Sequence, residues 1–133
     1  MSDWSLYDKQ VPFESLVGKT LTAIEGMKDD SENITFKCDD GSEFVMYHSQ
    51  SCCESVSVES VVGDVDDLIG APLRIAEEST SDQTPFGFKH EYEPESQTWT
   101  FYKLATIKGY VDLRWFGRSN GYYSETVSFA KTA

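Results

Sequence analysis

A histidine, two adjacent cysteines and a glutamate lie within one short stretch, His48-Ser-Gln-Ser-Cys52-Cys53-Glu54. These residue types could bind a metal ion, supply a thiolate nucleophile or form a redox switch. Structural zinc sites are usually tetrahedral and take nitrogen or sulfur ligands from cysteines that a short spacer separates. Adjacent cysteines in an extended strand point to opposite faces, so only one could join His48. Even with Cys38 as a further ligand the set is incomplete, and we predict no metal here.

A catalytic cysteine is the second option for this stretch. It needs a thiol that ionises readily and a third group that orients its histidine. The other histidine of the chain is His90, and no spacing relates it to Cys52. We therefore favour a structural role, with one cysteine in the core and the other at a turn or edge. In that interpretation His48 bonds the backbone, Gln50 has no assigned role and Glu54 lies on the surface.

The C-terminal run DLRWFGRSNGYYSE combines arginines, aromatic residues and an asparagine. Arginine side chains grip phosphate or carboxylate groups, and aromatic rings offer stacking faces. The alternative is ordinary sheet packing, with alternate aromatics in the core and the arginines paired with carboxylates. The candidate ligand-binding residues are Arg114, Trp115, Arg118, Asn120, Tyr122 and Tyr123.

The charge distribution restricts the classes of partner. The chain has 133 residues and a formal net charge of −12. Residues 1–95 hold 6 Lys/Arg against 21 Asp/Glu, whereas residues 96–133 hold 5 against 2. A strongly acidic surface repels nucleic acids and membranes and attracts basic protein surfaces, although acidity can also serve solubility alone. No motif for phosphate, dinucleotide or zinc-protease chemistry occurs in the chain, and we expect no cofactor.

Alternating apolar residues predict a mainly β chain, although a β-rich α+β fold remains open. Asp40-Gly41 and Asn120-Gly121 each separate two apolar runs and predict hairpins. The stretch from Cys52 to Val61 is predicted as a strand with one wet face. About seven strands would form an antiparallel sheet, packed as a small sandwich or open barrel with one or two short helical turns.

The length predicts one domain over residues 1–133. Residues 1–11 are expected to form a loose N-terminal arm, and residues 79–97 a variable loop. The N-terminus lacks the features of a signal peptide, and no apolar run is long enough to span a bilayer. With an odd number of cysteines and no export signal, we expect reduced thiols.

Three stretches resemble a known family: LVGKTLTAIEG with ITFKCDDG, then YHSQSCCESVSVESVVGDVDDLIGAPLRIAEE, and finally WTFYKLATIKGYVDLRWFGRSNGYYSETVSF. Together they cover nearly the whole chain from Leu16 to Phe129. The family consists of small proteins of unknown function that are encoded mainly by tailed bacteriophages and prophages. This resemblance implies a phage origin and action in the cytoplasm of the bacterial host, and it supplies no catalytic residue. It also suggests that the His48–Glu54 stretch and the C-terminal motif cluster in space.

The leading functional hypothesis is a non-enzymatic phage accessory protein that binds a host bacterial protein stoichiometrically. Its acidic face would meet a defence protein or a nucleic-acid-binding protein. The first alternative is a protein that sequesters a small, nucleotide-like anion at the C-terminal arginine and aromatic residues. The second alternative is a metal-dependent hydrolase built around His48, Cys52 and Glu54. Direct nucleic-acid or membrane binding is not expected, and exposed strand edges are compatible with a homodimer.

Overall fold

The computed structural model describes Leu6 and residues 8–133. In this part of the chain, eight strands form two antiparallel sheets of four strands each. The strands are β1 (Leu21–Glu25), β2 (Asn33–Cys38), β3 (Glu43–Tyr47), β4 (Ser55–Val62), β5 (Ile75–Ser81), β6 (Ser96–Thr106), β7 (Gly109–Ser119) and β8 (Ser128–Lys131). Two 3₁₀ turns, Phe13–Leu16 and Val65–Leu68, complete the described elements. The prediction of a mainly β, antiparallel sandwich with short helical turns is confirmed.

The first sheet has the strand order β1-β2-β3-β8 and the second has the order β4-β7-β6-β5. The core lies between them because successive side chains of a strand point to opposite faces, and the apolar residues alternate with that period. In β2 the buried residues are Ile34, Phe36 and Cys38. From β7, Leu113 and Trp115 meet them across the core. Burial of a large apolar side chain contributes roughly 1.5–3 kcal/mol, so this interface supplies most of the stabilisation.

The hairpin at Asp40-Gly41 forms as predicted. β2 and β3 pair in antiparallel register with Phe36 opposite Phe44. Gly41 adopts a φ of +87°, a left-handed conformation that glycine reaches without a side-chain clash. The local turn signal and the alternation on both sides therefore identified the correct pairing.

The predicted hairpin at Asn120-Gly121 is wrong. β8 does not pair with β7 but with β3 of the other sheet, where Phe129 lies opposite Met46. The ring of Phe129 stacks on Phe44, with centroids 5.4 Å apart. The chain leaves the second sheet after Ser119 because the apolar side chains of β8 complete the core beside β3. Residues 120–127 form the crossing.

Four segments meet at one end of the sandwich, which we call the loop end: residues 26–32, 48–54, 82–95 and 120–127. Residues 82–95 are the connection between β5 and β6, so the predicted loop of residues 79–97 is shorter than expected. The opposite end carries the β2–β3 turn and the Val65–Leu68 turn.

Part of the predicted N-terminal arm is attached to the first sheet. The N–H of Lys131 donates to the carbonyl of Lys9, and the N–H of Val11 donates to the carbonyl of Phe129. Residues 1–5 and 7 of the arm lie outside the described residues. The attached segment covers the free edge of β8, which reduces the exposure of unpaired backbone groups.

Candidate functional site

His48 follows β3, and its side chain is only 4% exposed. Its Nδ1 lies 2.7 Å from the carbonyl oxygen of Thr126, which confirms the predicted bond to the backbone. Because a carbonyl oxygen only accepts, Nδ1 carries a proton. Its Nε2 lies 2.7 Å from Oε2 of Glu54. Both ring nitrogens therefore face acceptors, an arrangement that the imidazolium form satisfies.

Glu54 is buried, which contradicts its predicted place on the surface. Its carboxylate accepts hydrogen bonds from the backbone N–H groups of Ser51 and Cys52, each at 2.9 Å, and pairs with His48. Burial alone would raise the pKa of Glu54, but the N–H groups of Cys52 and Ser51 and the His48 ring outweigh it and lower the pKa to about 2. The carboxylate is therefore ionised across the physiological pH range.

His48, Glu54 and the carbonyl of Thr126 form a unit that we call the clasp. Gln50 closes it, since its Nε2 donates to the carbonyls of Glu54 at 2.7 Å and Cys52 at 3.2 Å. Every donor position of the imidazole is used, and the carboxylate binds the donors within its own loop. A buried polar group must find such partners because its desolvation is otherwise costly. The arrangement fixes the loop and leaves no free base or nucleophile within the clasp.

The two adjacent cysteines differ from their prediction in three respects. Residues 48–54 form a loop rather than a strand, so Cys52 and Cys53 are both exposed and neither fills the core. The structure joins them in a disulfide, whereas reduced thiols were expected. The buried free thiol belongs to Cys38. Among the described residues, no group of three or more His, Cys, Asp or Glu side chains is arranged to bind a metal ion.

The candidate ligand-binding residues do not form one site. Trp115 is fully buried in the core, where its Nε1 donates to Sδ of Met46 at 3.2 Å. Arg114 lies on the opposite face of β7, where its guanidinium bonds Glu59 at 2.5 Å. It also covers the ring of Trp99 with a separation of 5.2 Å. Residues at adjacent strand positions face opposite ways, so these two cannot share a ligand.

Arg118, Asn120 and Tyr123 do share a cleft of about 370 Å³. We call it the disulfide cleft, because Cys53 lines it from the opposite side. The structure thus brings the first motif and part of the second to one place. Tyr122, the remaining candidate, is 88% exposed and does not line the cleft. Further lining residues are Ser55, Glu93, Pro94, Glu95 and Ser119.

Asn120 shapes this cleft as a turn residue. Its Oδ1 accepts a hydrogen bond from the N–H of Tyr122 at 3.1 Å. Ser119 adds a second local bond, since its Oγ accepts from the N–H of Gly121 at 3.0 Å. Asparagine and serine side chains commonly stabilise turns in this way. The amide oxygen of Asn120 is therefore bonded within its own turn, while the side chain still lines the cleft.

Two residues of the C-terminal run support the cleft, although neither was among the candidate ligand-binding residues predicted from the sequence. Glu125 is 6% exposed and accepts hydrogen bonds from Thr98 at 2.7 Å and Ser119 at 2.6 Å. It packs against Gly117, where an added Cβ would lie 2.9 Å from Cβ of Glu125. This close approach explains why glycine occupies the position.

Carboxylates surround the clasp and the disulfide cleft. Glu93 and Glu95 line the disulfide cleft, while Asp30 and Glu32 line a second cleft of about 260 Å³. Ser55 lines both clefts, so the two clefts adjoin at the start of β4. Within Leu6 and residues 8–133, only four carboxylates form ion pairs, and none of them is one of these. The paired carboxylates are those of Glu25, Asp40, Glu54 and Glu59.

The fold and this end surface define a two-layer antiparallel β-sandwich whose loops present an acidic cleft. A family model described as "Domain of unknown function (DUF7448)" matches residues 14–129, and the chain belongs to this family. No curated protein and no solved structure matches the chain. In the described residues, we find no helix with the length and apolar character required to cross a membrane.

Proposed function

We propose that the protein binds a basic surface of a partner protein through its loop end, stoichiometrically and without catalysis. The observation that supports this most is the pair of adjoining clefts around Ser55, whose carboxylates come from two separate loops and form no ion pair within the described residues. Such a surface attracts a positively charged partner and speeds the encounter. In this proposal the protein is of phage origin and acts in the bacterial cytoplasm on a host defence or nucleic-acid-binding protein.

Exposed aromatic side chains at the same end support the proposal. Phe86 and Tyr92 project from the 82–95 loop, and Tyr122 projects from the crossing segment. Their exposed fractions are 107%, 75% and 88%. Large aromatic residues are enriched at the centre of protein interfaces, where they supply much of the binding energy. An acidic end that also carries aromatics therefore fits a protein partner.

The same geometry disfavours sequestration of a small anion. Arg114 is neutralised by Glu59, and the cleft beside Arg118 contains Glu93 and Glu95. An anion in that cleft would meet two carboxylates for one guanidinium. The electrostatics of the loop end thus favour a cationic surface over an anionic ligand.

Affinity capture from bacterial lysate, followed by quantitative mass spectrometry, tests this proposal. The loop-end variant is E93K/E95K, and the matched control is D39K/D66K, which makes the same charge change at the opposite end. We expect a defined protein that is retained by the wild type and the control variant but not by the loop-end variant. Retention of no defined protein, or equal retention by all three chains, contradicts the proposal.

A further inference from the structure

The face of the second sheet that points away from the core is divided into a covered half and an open half. In the covered half, Trp99 and Phe116 lie opposite each other on β6 and β7, with ring centroids 4.4 Å apart. Phe88 of the 82–95 loop packs against Trp99 with centroids 4.8 Å apart. Gln97 fixes the loop, since its Oε1 accepts from His90 Nε2 at 3.1 Å. The loop therefore encloses the half nearest the loop end.

The open half is a trough of about 430 Å³, which we call the outer trough. Its side chains form two adjacent rows across the strands, because directly paired residues of a sheet point the same way. One row contains Glu77, Lys103 and Asp112, and the next contains Ser79, Phe101 and Arg114. Phe101 provides an apolar floor between charged side chains.

The free charge of the outer trough is negative. The guanidinium of Arg114 bonds Glu59, so this cation is already neutralised. Nζ of Lys103 lies 5.5 Å from the ring centre of Tyr110 and is directed toward that ring. Glu77 and Asp112 form no ion pair within the described residues. A cationic side chain would therefore find two available carboxylates.

One long side of the outer trough is the free edge of the second sheet. β5 is the edge strand, paired only with β6. In the described part of the chain, no backbone bond from another segment reaches Ile75–Ser81. Glu77 and Glu78 are both exposed and point to opposite faces of this strand. The Phe13–Leu16 turn packs against β5 but donates and accepts no backbone hydrogen bond along Ile75–Ser81. A strand edge of this kind offers unpaired N–H and C=O groups to an incoming strand.

We propose that β5 and the outer trough bind an extended, basic segment of a partner protein as a fifth strand of the second sheet. Adjacent lysine or arginine residues in that segment would lie opposite Glu77 and Glu78 on the two faces. The next side chain on the outer face would reach the floor at Phe101. This surface is separate from the loop end, so it adds a second contact of defined chemistry. Charged edge residues also serve to prevent strand association, and the experiment separates that role from binding.

The probe is a short capped peptide rich in valine and threonine with a central Lys-Lys pair. Its controls are the same peptide with Glu-Glu and an analogue with alternate backbone nitrogens methylated. Calorimetry gives the affinity, and amide hydrogen exchange of residues 75–81 reports strand addition. We expect the Lys-Lys peptide to bind and slow exchange in β5, with affinity at least about tenfold lower after methylation.

Protein variants complete the test. E77K/E78K is expected to abolish binding of the Lys-Lys peptide, whereas E93K/E95K at the loop end leaves it unchanged. If the Lys-Lys peptide does not bind to the wild type, Glu77 and Glu78 serve only to protect the strand edge, and the proposal is overturned. Binding that is insensitive to methylation, or that is lost equally in E93K/E95K, overturns it as well.

Discussion

Nε2 of His48 and Oε2 of Glu54 lie 2.7 Å apart, and the two side chains are 4% and 0% exposed. His48 directly follows β3 of the first sheet, and Glu54 directly precedes β4 of the second. The bond from Nδ1 of His48 to the carbonyl of Thr126 also attaches the segment that leads into β8 to this pair. This single contact therefore joins both sheets and fixes the loop end that we propose as the binding surface.

The clasp predicts a strong effect of Glu54→Gln on stability. The glutamine amide keeps one acceptor oxygen, so its NH2 group would oppose the N–H of either Ser51 or Cys52, and His48 would lose its carboxylate partner. Removing one partner of a buried ion pair costs about 3–5 kcal/mol, and we expect a loss of unfolding free energy near the lower value. Urea denaturation measures it. The control Glu93→Gln, at an exposed position, should change the value by less than about 0.5 kcal/mol.

Acid should weaken the clasp. The pKa of Glu54 is lowered from 4.5 to about 2, so the folded state binds fewer protons than the unfolded state in this range. The contribution to stability is complete above pH 4.5 and is lost as the pH falls toward 2. We expect the unfolding free energy of the wild type to fall more steeply across this window than that of Glu54→Gln.

Asp40 acts in the same direction, because hydrogen bonds from Lys19 and Ser42 lower the pKa of its carboxyl. Asp40 contributes equally in wild type and in Glu54→Gln. Its contribution therefore cancels when the pH profile of unfolding free energy for one chain is subtracted from that for the other. Parallel profiles for wild type and Glu54→Gln would show that Glu54 does not titrate as the structure implies.

Removal of the disulfide should have little effect on stability. Cys52 and Cys53 are adjacent, so their bond closes almost no chain, and the entropic stabilisation from loop closure is small. We expect the C52S/C53S variant to lose less than about 1 kcal/mol of unfolding free energy, compared with the larger loss in Glu54→Gln. In the native reduced protein, alkylation should label the two exposed cysteines and spare buried Cys38. If C52S/C53S lost as much unfolding free energy as Glu54→Gln, the disulfide rather than the clasp would be the source of the loop's stability.

Gly117→Ala should destabilise the second sheet. The added Cβ would lie 2.9 Å from Cβ of Glu125 and 3.2 Å from Cγ2 of Val56, so neighbouring atoms must shift. Overpacking of this kind typically costs about 1–3 kcal/mol. Thermal unfolding measures the change, with Ser57→Ala on the outer face of β4 as the control. An unchanged transition temperature for Gly117→Ala would show that the contact with Glu125 is not tight.

Local sequence signals predicted the elements better than their partners. Asp40-Gly41 produced the correct hairpin because both of its strands adjoin the turn. Asn120-Gly121 produced a wrong one because the pairing of β8 depends on Phe129 reaching Phe44 in the other sheet. The residues of a turn do not indicate such long-range packing, so they cannot predict which strand β8 pairs with.

The candidate site was predictable in its residues but not in their roles. The His48 stretch and the C-terminal motif do meet at the loop end, in the clasp and in the disulfide cleft. Trp115 could not be assigned to the core from composition, because alternation alone does not show which face of β7 is inside. The burial of Glu54 was missed because a glutamate is normally exposed unless specific donors surround it.

The affinity of the captured partner for wild type, E93K/E95K and D39K/D66K, measured across a range of salt concentrations, tests the central claim most directly. We expect at least about tenfold weaker binding for E93K/E95K, near-wild-type binding for D39K/D66K, and weaker binding of the wild type as salt increases. Equal affinities for the three chains, or wild-type binding that is independent of salt, would contradict the central claim.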